Sequence, residues 1–209
     1  MSGASIEPVR PRAAAAPSRL RVIAILLGLV AAPVLILDQL SKAYVASHMA
    51  LYETIAIVPN WFDITYTRNP GAAFSMFVAM APWIRAAMLL GLAIVAIIVL
   101  LVLIARSRVI DINSIAFALI LAGASGNLID RIARGQVIDF LRAHYYDLNY
   151  PVFNIADSAI SIGVVMVILA SFISSPARSA ESPSLQAPED ISAGPPPGSS
   201  QSTAQNSAD

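Results

Sequence analysis

Long apolar runs alternate with short polar segments along this chain. Four runs, about 22–40, 83–105, 110–128 and 155–173, each approach the length of a membrane span. About 20 residues at roughly 1.5 Å rise cross the hydrocarbon of a bilayer. Pro33 interrupts the first run, a kink that neighbouring helices can accommodate. The third is the weakest, with Asp111 and Asn113 at one end and Gly123, Gly126 and Asn127 at the other. Small residues there allow close helix contact. Between the first two runs, Asn60 to Thr67 alternates and is rich in aromatic and β-branched residues, which predicts a strand. Arg68-Asn69-Pro70-Gly71 predicts a turn, and Ala72 to Phe77 a second short strand. Trp61 and Trp83 suit the membrane interface. Residues 1–18 and 174–209 are rich in Ala, Pro, Ser or Gly and predict disordered tails around one membrane domain, residues 19–173.

Composition agrees with a membrane protein. The 209 residues are 57% hydrophobic and 12% charged, about half the charge of a soluble domain, in which roughly a quarter of residues are charged. Net charge is zero, so nucleic acid has no electrostatic reason to bind. Without cysteine, thiolate nucleophiles, disulfides and cysteine-ligated metals are excluded. Two histidines are too few for a histidine-rich metal site.

Arg10, Arg12, Arg19 and Arg21 before an apolar run have the form of a signal peptide. The run instead continues into Asp38-Gln39-Leu40-Ser41-Lys42 with no Ala-x-Ala site, and more spans follow, so it predicts a retained anchor. Four spans put both termini on one side. The N-terminal arginines, Arg106, Arg108 and Arg178 share that side, which the positive-inside rule makes cytoplasmic. Basic residues on the other side are mixed with acids, as around a site. Residues 41–82 and 129–154 then face outward together.

The polar stretch Gly123–Asp157 carries four aspartates between two apolar runs. Charge where an apolar chain meets water is costly and marks function. Asp139 follows the third span and Asp157 opens the fourth, so antiparallel helices bring both to one mouth of the bundle. Two carboxylates within hydrogen-bond reach share a proton, leaving one acid and one base. That suffices to activate water and protonate a leaving amine. Spacing leaves plainer readings open. Asn154-x-x-Asp157 also fits a helix cap, and Asp139 could pair with Arg142. Asn127-x-x-Asp130 repeats the Asn-x-x-Asp interval, and each Asn could cap a helix or orient a carboxylate. Arg131 could balance acids at the mouth. Asp38 and Lys42 form an i,i+4 pair that either closes the first span or supports a cleft. Asn69 lies in either an ordinary hairpin or a segment that receives an extended peptide.

Gly123-Ala124-Ser125-Gly126 has the form of a rhomboid-type serine signature. That chemistry needs a histidine against the serine, and His144, the nearest in sequence, lies in a polar loop. Tyr146-Asp147 echoes one motif of the presenilin-like proteases, but their Gly-x-Gly-Asp is missing, and no His-Glu-x-x-His is present. A non-enzymatic transporter or assembly factor using the same acids is the alternative class.

In combination these motifs resemble the bacterial lipoprotein signal peptidase family, over about residues 22–173. Asp38-Gln39-Leu40-Ser41-Lys42, Asn69-Pro70-Gly71-Ala72-Ala73-Phe74-Ser75 and Gly126-Asn127-Leu128-Ile129-Asp130-Arg131 arrive in family order. Gly135-x-Val137-x-Asp139-Phe140 and Pro151-x-Phe153-Asn154-x-Ala156-Asp157 complete the set. The chain departs where the family often has Gly-Gly-Ala-Leu-Gly-Asn, here Ala122 to Asn127, and where Tyr150 replaces a tryptophan before proline. The resemblance implies an α-helical polytopic fold: a four-helix membrane bundle, an outward β-cradle matched by residues 60–77, and a short amphipathic helix within 43–55. It implies an aspartyl endopeptidase of the bacterial inner membrane, acting near the periplasmic face without metal or cofactor. Its substrates would be diacylglyceryl-modified prolipoproteins in contact with membrane lipids, cut on the amino side of the modified cysteine by a monomeric enzyme. By motif, Asp139 and Asp157 are the catalytic pair. Asn69, Asn127, Asp130, Arg131 and Asn154 line or support the site, and Asp38 and Lys42 match the end of the first helix.

Overall fold

The computed structural model describes residues 17–71, 80–146 and 148–173. Four long helices are apolar enough to cross a membrane: α1 (Arg19–His48), α2 (Pro82–Arg106), α3 (Ile112–Arg134) and α4 (Ile155–Ile173). Their outer faces carry large exposed apolar side chains such as Leu29, Leu92, Ile98 and Phe172. Hydrocarbon rather than water suits such surfaces. A small antiparallel sheet sits at one end. It consists of β1 (Thr54–Val58), β2 (Phe62–Asn69), β3 (Val137–Tyr145) and β4 (Leu148–Asn149), paired in that order.

Each helix end has a local cause. In α1, residues Leu26–Ala31 form a π-helical turn just before Pro33, and the Ala32 amide reaches back to the Leu27 carbonyl. Proline has no N–H to continue the ladder, and a wider turn absorbs the mismatch. Asp111 and Ser114 exchange side-chain-to-backbone bonds of 2.8 and 2.9 Å. This capping box starts α3 one residue after Asp111. Gly135, at φ 73°, ends it in the left-handed conformation that glycine adopts without strain.

Two helices outrun their apolar stretches. α3 continues past Leu128 to Arg134, and α1 continues past Leu40 to His48. Polar residues at these ends are neutralised within the protein, so the apolar run understates the helix. The short amphipathic helix expected within 43–55 is not a separate element. Residues 43–48 prolong α1, and a turn leads into β1. Strand β1 was not expected, and β2 runs through Asn69, where a turn was expected. The strand expected at 72–77 lies outside the described residues.

One apolar core joins α1, α2 and α3 through Val22, Leu26, Leu100, Ile104, Ala118 and Leu121. A second seats the sheet on the end of α1 through Val45, Tyr66, Ile138 and Phe140. Helices α3 and α4 touch across small residues. A Cβ on Gly123 would strike the Ala156 carbonyl oxygen, and one on Gly163 would lie 2.8 Å from that of Ala116. The Gly-x-Ser-Gly stretch thus belongs to a close helix seam.

Candidate active site

The sheet delivers Asp139. In the β2–β3 ladder Thr67 faces Asp139 and Asn69 faces Val137. Residues two apart share a face of a strand, so Asn69 lies diagonally across from Asp139. Its amide nitrogen donates to Asp139 Oδ2 at 3.0 Å. Asn69 Oδ1 accepts from the Gly71 amide at 2.8 Å, which holds the side chain in an Asx turn.

Helix α4 delivers Asp157. The chain approaches through Phe153, whose backbone pairs with Leu141 of β3 at 3.0 and 2.8 Å. Asn154 follows at once and caps the helix. Its Oδ1 accepts from the Asp157 amide at 2.9 Å, while Asp157 Oδ2 accepts from the Asn154 amide at 3.2 Å. The cap reading is therefore realised, and it does not compete with a chemical role. The Asn154 Nδ2 remains free to donate to Asp139 Oδ1 at 2.7 Å.

Asn127 of α3 closes the arrangement. It donates to Asp157 Oδ1 at 2.7 Å, and its Oδ1 accepts from Asn154 at 3.2 Å. An unbroken path runs Asn69–Asp139–Asn154–Asn127–Asp157. Neither Asp139 nor Asp157 has an ion-pair partner among the described residues. Asp139 is 2% exposed. Burial, and then the nearby charge of Asp157, push its carboxyl up to about 7. A cavity of about 270 Å³ reaches Asp157 between Tyr150, Phe153, Ser158, Ser161 and Ile162.

Behind this pair lies a second cluster, made of ion pairs. Lys42 is fully buried, and Nζ makes contacts of 2.8 Å to Asp38, 3.0 Å to Asp130 and 3.1 Å to the Asn127 carbonyl oxygen. These use all three ammonium hydrogens. Asp38 Oδ1 accepts from the Ala156 amide at 2.9 Å, an anion on the N-terminus of α4. Asp130 also pairs with Arg134 and accepts from the Ile138 amide at 3.2 Å. Gly126 makes room, since a Cβ there would meet the Asp38 carboxylate.

Eight of the nine residues singled out in the sequence thus join one network. Arg131 borders it: Nη1 donates to the Asn127 backbone carbonyl at 3.3 Å and its charge is felt by Asp157, Asp139 and Asp130, while the direct pair to Asp130 comes from Arg134. The i,i+4 spacing of Asp130 and Arg134 was the available signal. Gln39 was also missed. It donates to Asp38, Asp130 and the Gly126 carbonyl. Asp139 does not pair with Arg142, which contacts Asp63 at 3.5 Å and Asn149 at 2.6 Å. His144, expected in a loop, lies on β3 beside the Asp63 carboxylate of β2 at 3.1 Å.

A polytopic membrane fold with two amide-bridged carboxylates at one mouth has the groups that acid–base chemistry needs. The comparisons with known proteins agree with it. The model of peptidase family A8, Signal peptidase (SPase) II, matches residues 30–173. The chain is 47% identical over 138 residues to the lipoprotein signal peptidase of Syntrophus aciditrophicus, covering 65% of this chain and 85% of that one. It is 41% identical over 144 residues to that of Yersinia enterocolitica, covering 68% and 83%. A bacterial membrane enzyme solved at 2.3 Å superposes with TM-score 0.64 at 30% identity, over 74% of this chain and 92% of that one. A second, solved at 1.9 Å, gives TM-score 0.60 at 33% identity, over 68% and 90%. This chain belongs to the signal peptidase II family and is an aspartic peptidase.

Proposed function

We propose that this enzyme removes signal peptides from prolipoproteins, hydrolysing the bond on the amino side of a diacylglyceryl-modified cysteine with Asp139 and Asp157. The observation that carries this reading is that two carboxylates share an amide bridge and lack a cation of their own. Neutral amides orient both groups without fixing both as anions. One carboxylate takes a proton from water, and the water oxygen adds to the scissile carbonyl. The other donates its proton to the carbonyl oxygen. Collapse of the tetrahedral adduct breaks the C–N bond as a proton passes to the departing cysteine nitrogen.

The signal helix lies in the bilayer beside the bundle. The substrate's acyl chains stay in lipid, which avoids exposing them to water at about 0.8 kcal/mol per CH₂. The cleaved segment is extended, because a helix ties up its carbonyls. The sheet end of the bundle is periplasmic, and the termini are cytoplasmic, in the inner membrane. An even number of spans and Arg106 and Arg108 at the opposite end support that orientation. Asn69, Asn127 and Asn154 hold the carboxylates, and Asp38, Lys42 and Asp130 brace the elements that carry them.

Cleavage of a lipidated against an unlipidated precursor by purified enzyme tests this. Turnover of the lipidated form alone is expected. Equal turnover of both would remove the lipid from the specificity, and no turnover of either by folded enzyme would remove the activity.

A further inference from the structure

A separate cavity of about 370 Å³ opens between the sheet-side ends of α2 and α3. Its polar wall holds Arg85, Arg131 and Gln136, and its apolar wall Trp83, Ala86, Leu89 and Leu90. Arg85 stands in the first turn of α2, and Arg131 in the last turn of α3. The two guanidiniums therefore meet where helix ends leave the hydrocarbon. Trp83, 73% exposed, marks the same level.

Asp157, Asp139 and Asp130 act on the Arg131 charge from a distance, and none of them contacts it as an ion pair. Neither arginine has an ion-pair partner among the described residues. Arg131 Nε is buried without a hydrogen-bond acceptor. Residues 72–79, Ala-Ala-Phe-Ser-Met-Phe-Val-Ala, contain no acidic side chain. Asp130, next to Arg131 in sequence, is already used by Lys42 and Arg134. A buried donor with no acceptor is costly, and two guanidiniums facing one cavity repel. An anion with several acceptor oxygens relieves both, and guanidinium geometry suits phosphate.

We propose that this cavity binds the phosphate of a membrane phospholipid, with the acyl chains along Ala86, Leu89 and Leu90. The pairing of a dicationic pole with an apolar wall matches an amphiphile better than a free anion. The cavity would couple the enzyme to its bilayer through Arg131, one helical turn from Asn127.

The test is native mass spectrometry of the full chain in neutral detergent, with dioleoyl phosphatidylglycerol, dioleoylglycerol or inorganic phosphate added. Retention of phosphatidylglycerol well above dioleoylglycerol is expected, falling as ionic strength rises. Arg85→Gln should lower it roughly tenfold, the size of one lost charge-assisted contact, and Arg85→Lys should fall between. Equal retention of dioleoylglycerol, or no change in Arg85→Gln and Arg85→Lys, would overturn the site. Inorganic phosphate that displaces the lipid at equal concentration would overturn the lipid as its occupant. Circular dichroism of both variants separates lost binding from lost fold. If Arg85→Gln does not fold, the Lys variant and the salt dependence still decide.

Discussion

Asp130 and Asp139 are both buried, nine residues apart, and they live in opposite chemistry. Asp130 sits with Asp38, Lys42 and Arg134 in a cluster of two acids and two bases whose formal charges cancel. Asp139 and Asp157 are held by the amides of Asn69, Asn154 and Asn127. An amide orients a carboxylate but brings no charge to hold it ionised. The first cluster pairs its acids with cations, while the second has the arrangement that the proposed proton transfer needs. The two share Asn127, which accepts from Lys42 and donates to Asp157. That one side chain joins the two clusters.

The largest test of that contrast is the loss of a carboxylate from the pair. Asp139→Asn and Asp157→Asn should each cut cleavage on the order of 10³-fold or more, as expected for loss of the acid or base, with the thermal transition in detergent retained. Full turnover by either folded variant would sink the pair. The opposite signature belongs to Lys42→Met, which strands Asp38 and Asp130. Breaking a buried pair costs about 3–5 kcal/mol, so denaturant unfolding should reveal a large loss of stability before any activity question arises. A near-native unfolding midpoint would show that the cluster is not what holds α1, α3 and α4 together.

Asn154→Ala touches both roles. Loss of the cap should cost about 1 kcal/mol, and loss of the bridge to Asp139 should reduce kcat with little change in KM. A change confined to stability would make Asn154 a cap alone.

The pH profile comes next in size. Asp139 holds its proton below about 7 and loses it above, so cleavage should decline on the alkaline side of neutrality. An unfolded aspartate releases its proton near 4. Folding therefore takes up a proton between those values, and stability contributed by this group falls as pH rises from about 4 to about 7. Asn69 donates to the ionised form and so lowers the value. Asn69→Ala should move the alkaline limb to higher pH, and a shift to lower pH would contradict the role given to that bond. The smallest effect is expected for Ser125→Ala, which should keep near-normal turnover. Complete loss in a folded Ser125→Ala protein would revive the serine mechanism.

Apolar length alone announced all four helices, because each must fill the hydrocarbon with few charges. It misplaced their polar ends. Asp130 and Lys42 each have an i,i+4 partner, Arg134 and Asp38, but the bond between them joins helices 88 positions apart in number, and no local window contains it. Strand β1 went unread although Thr54, Ile55, Ile57 and Val58 are β-branched, since all five residues are exposed and show no inside–outside alternation. The Asn-x-x-Asp interval correctly indicated a cap at Asn154. Its second bond, to Asp139, depended on β3 crossing the start of α4 at the Leu141–Phe153 bridge.

Residue type and order, on their own, determined a four-span membrane protein with acids gathered at one mouth, since burial in lipid leaves few other places for charge. Which acids are paired with cations and which are held by amides was decided by tertiary structure. That outcome depends on what donates to each oxygen: an ammonium and a guanidinium at Asp130, amides alone at Asp139.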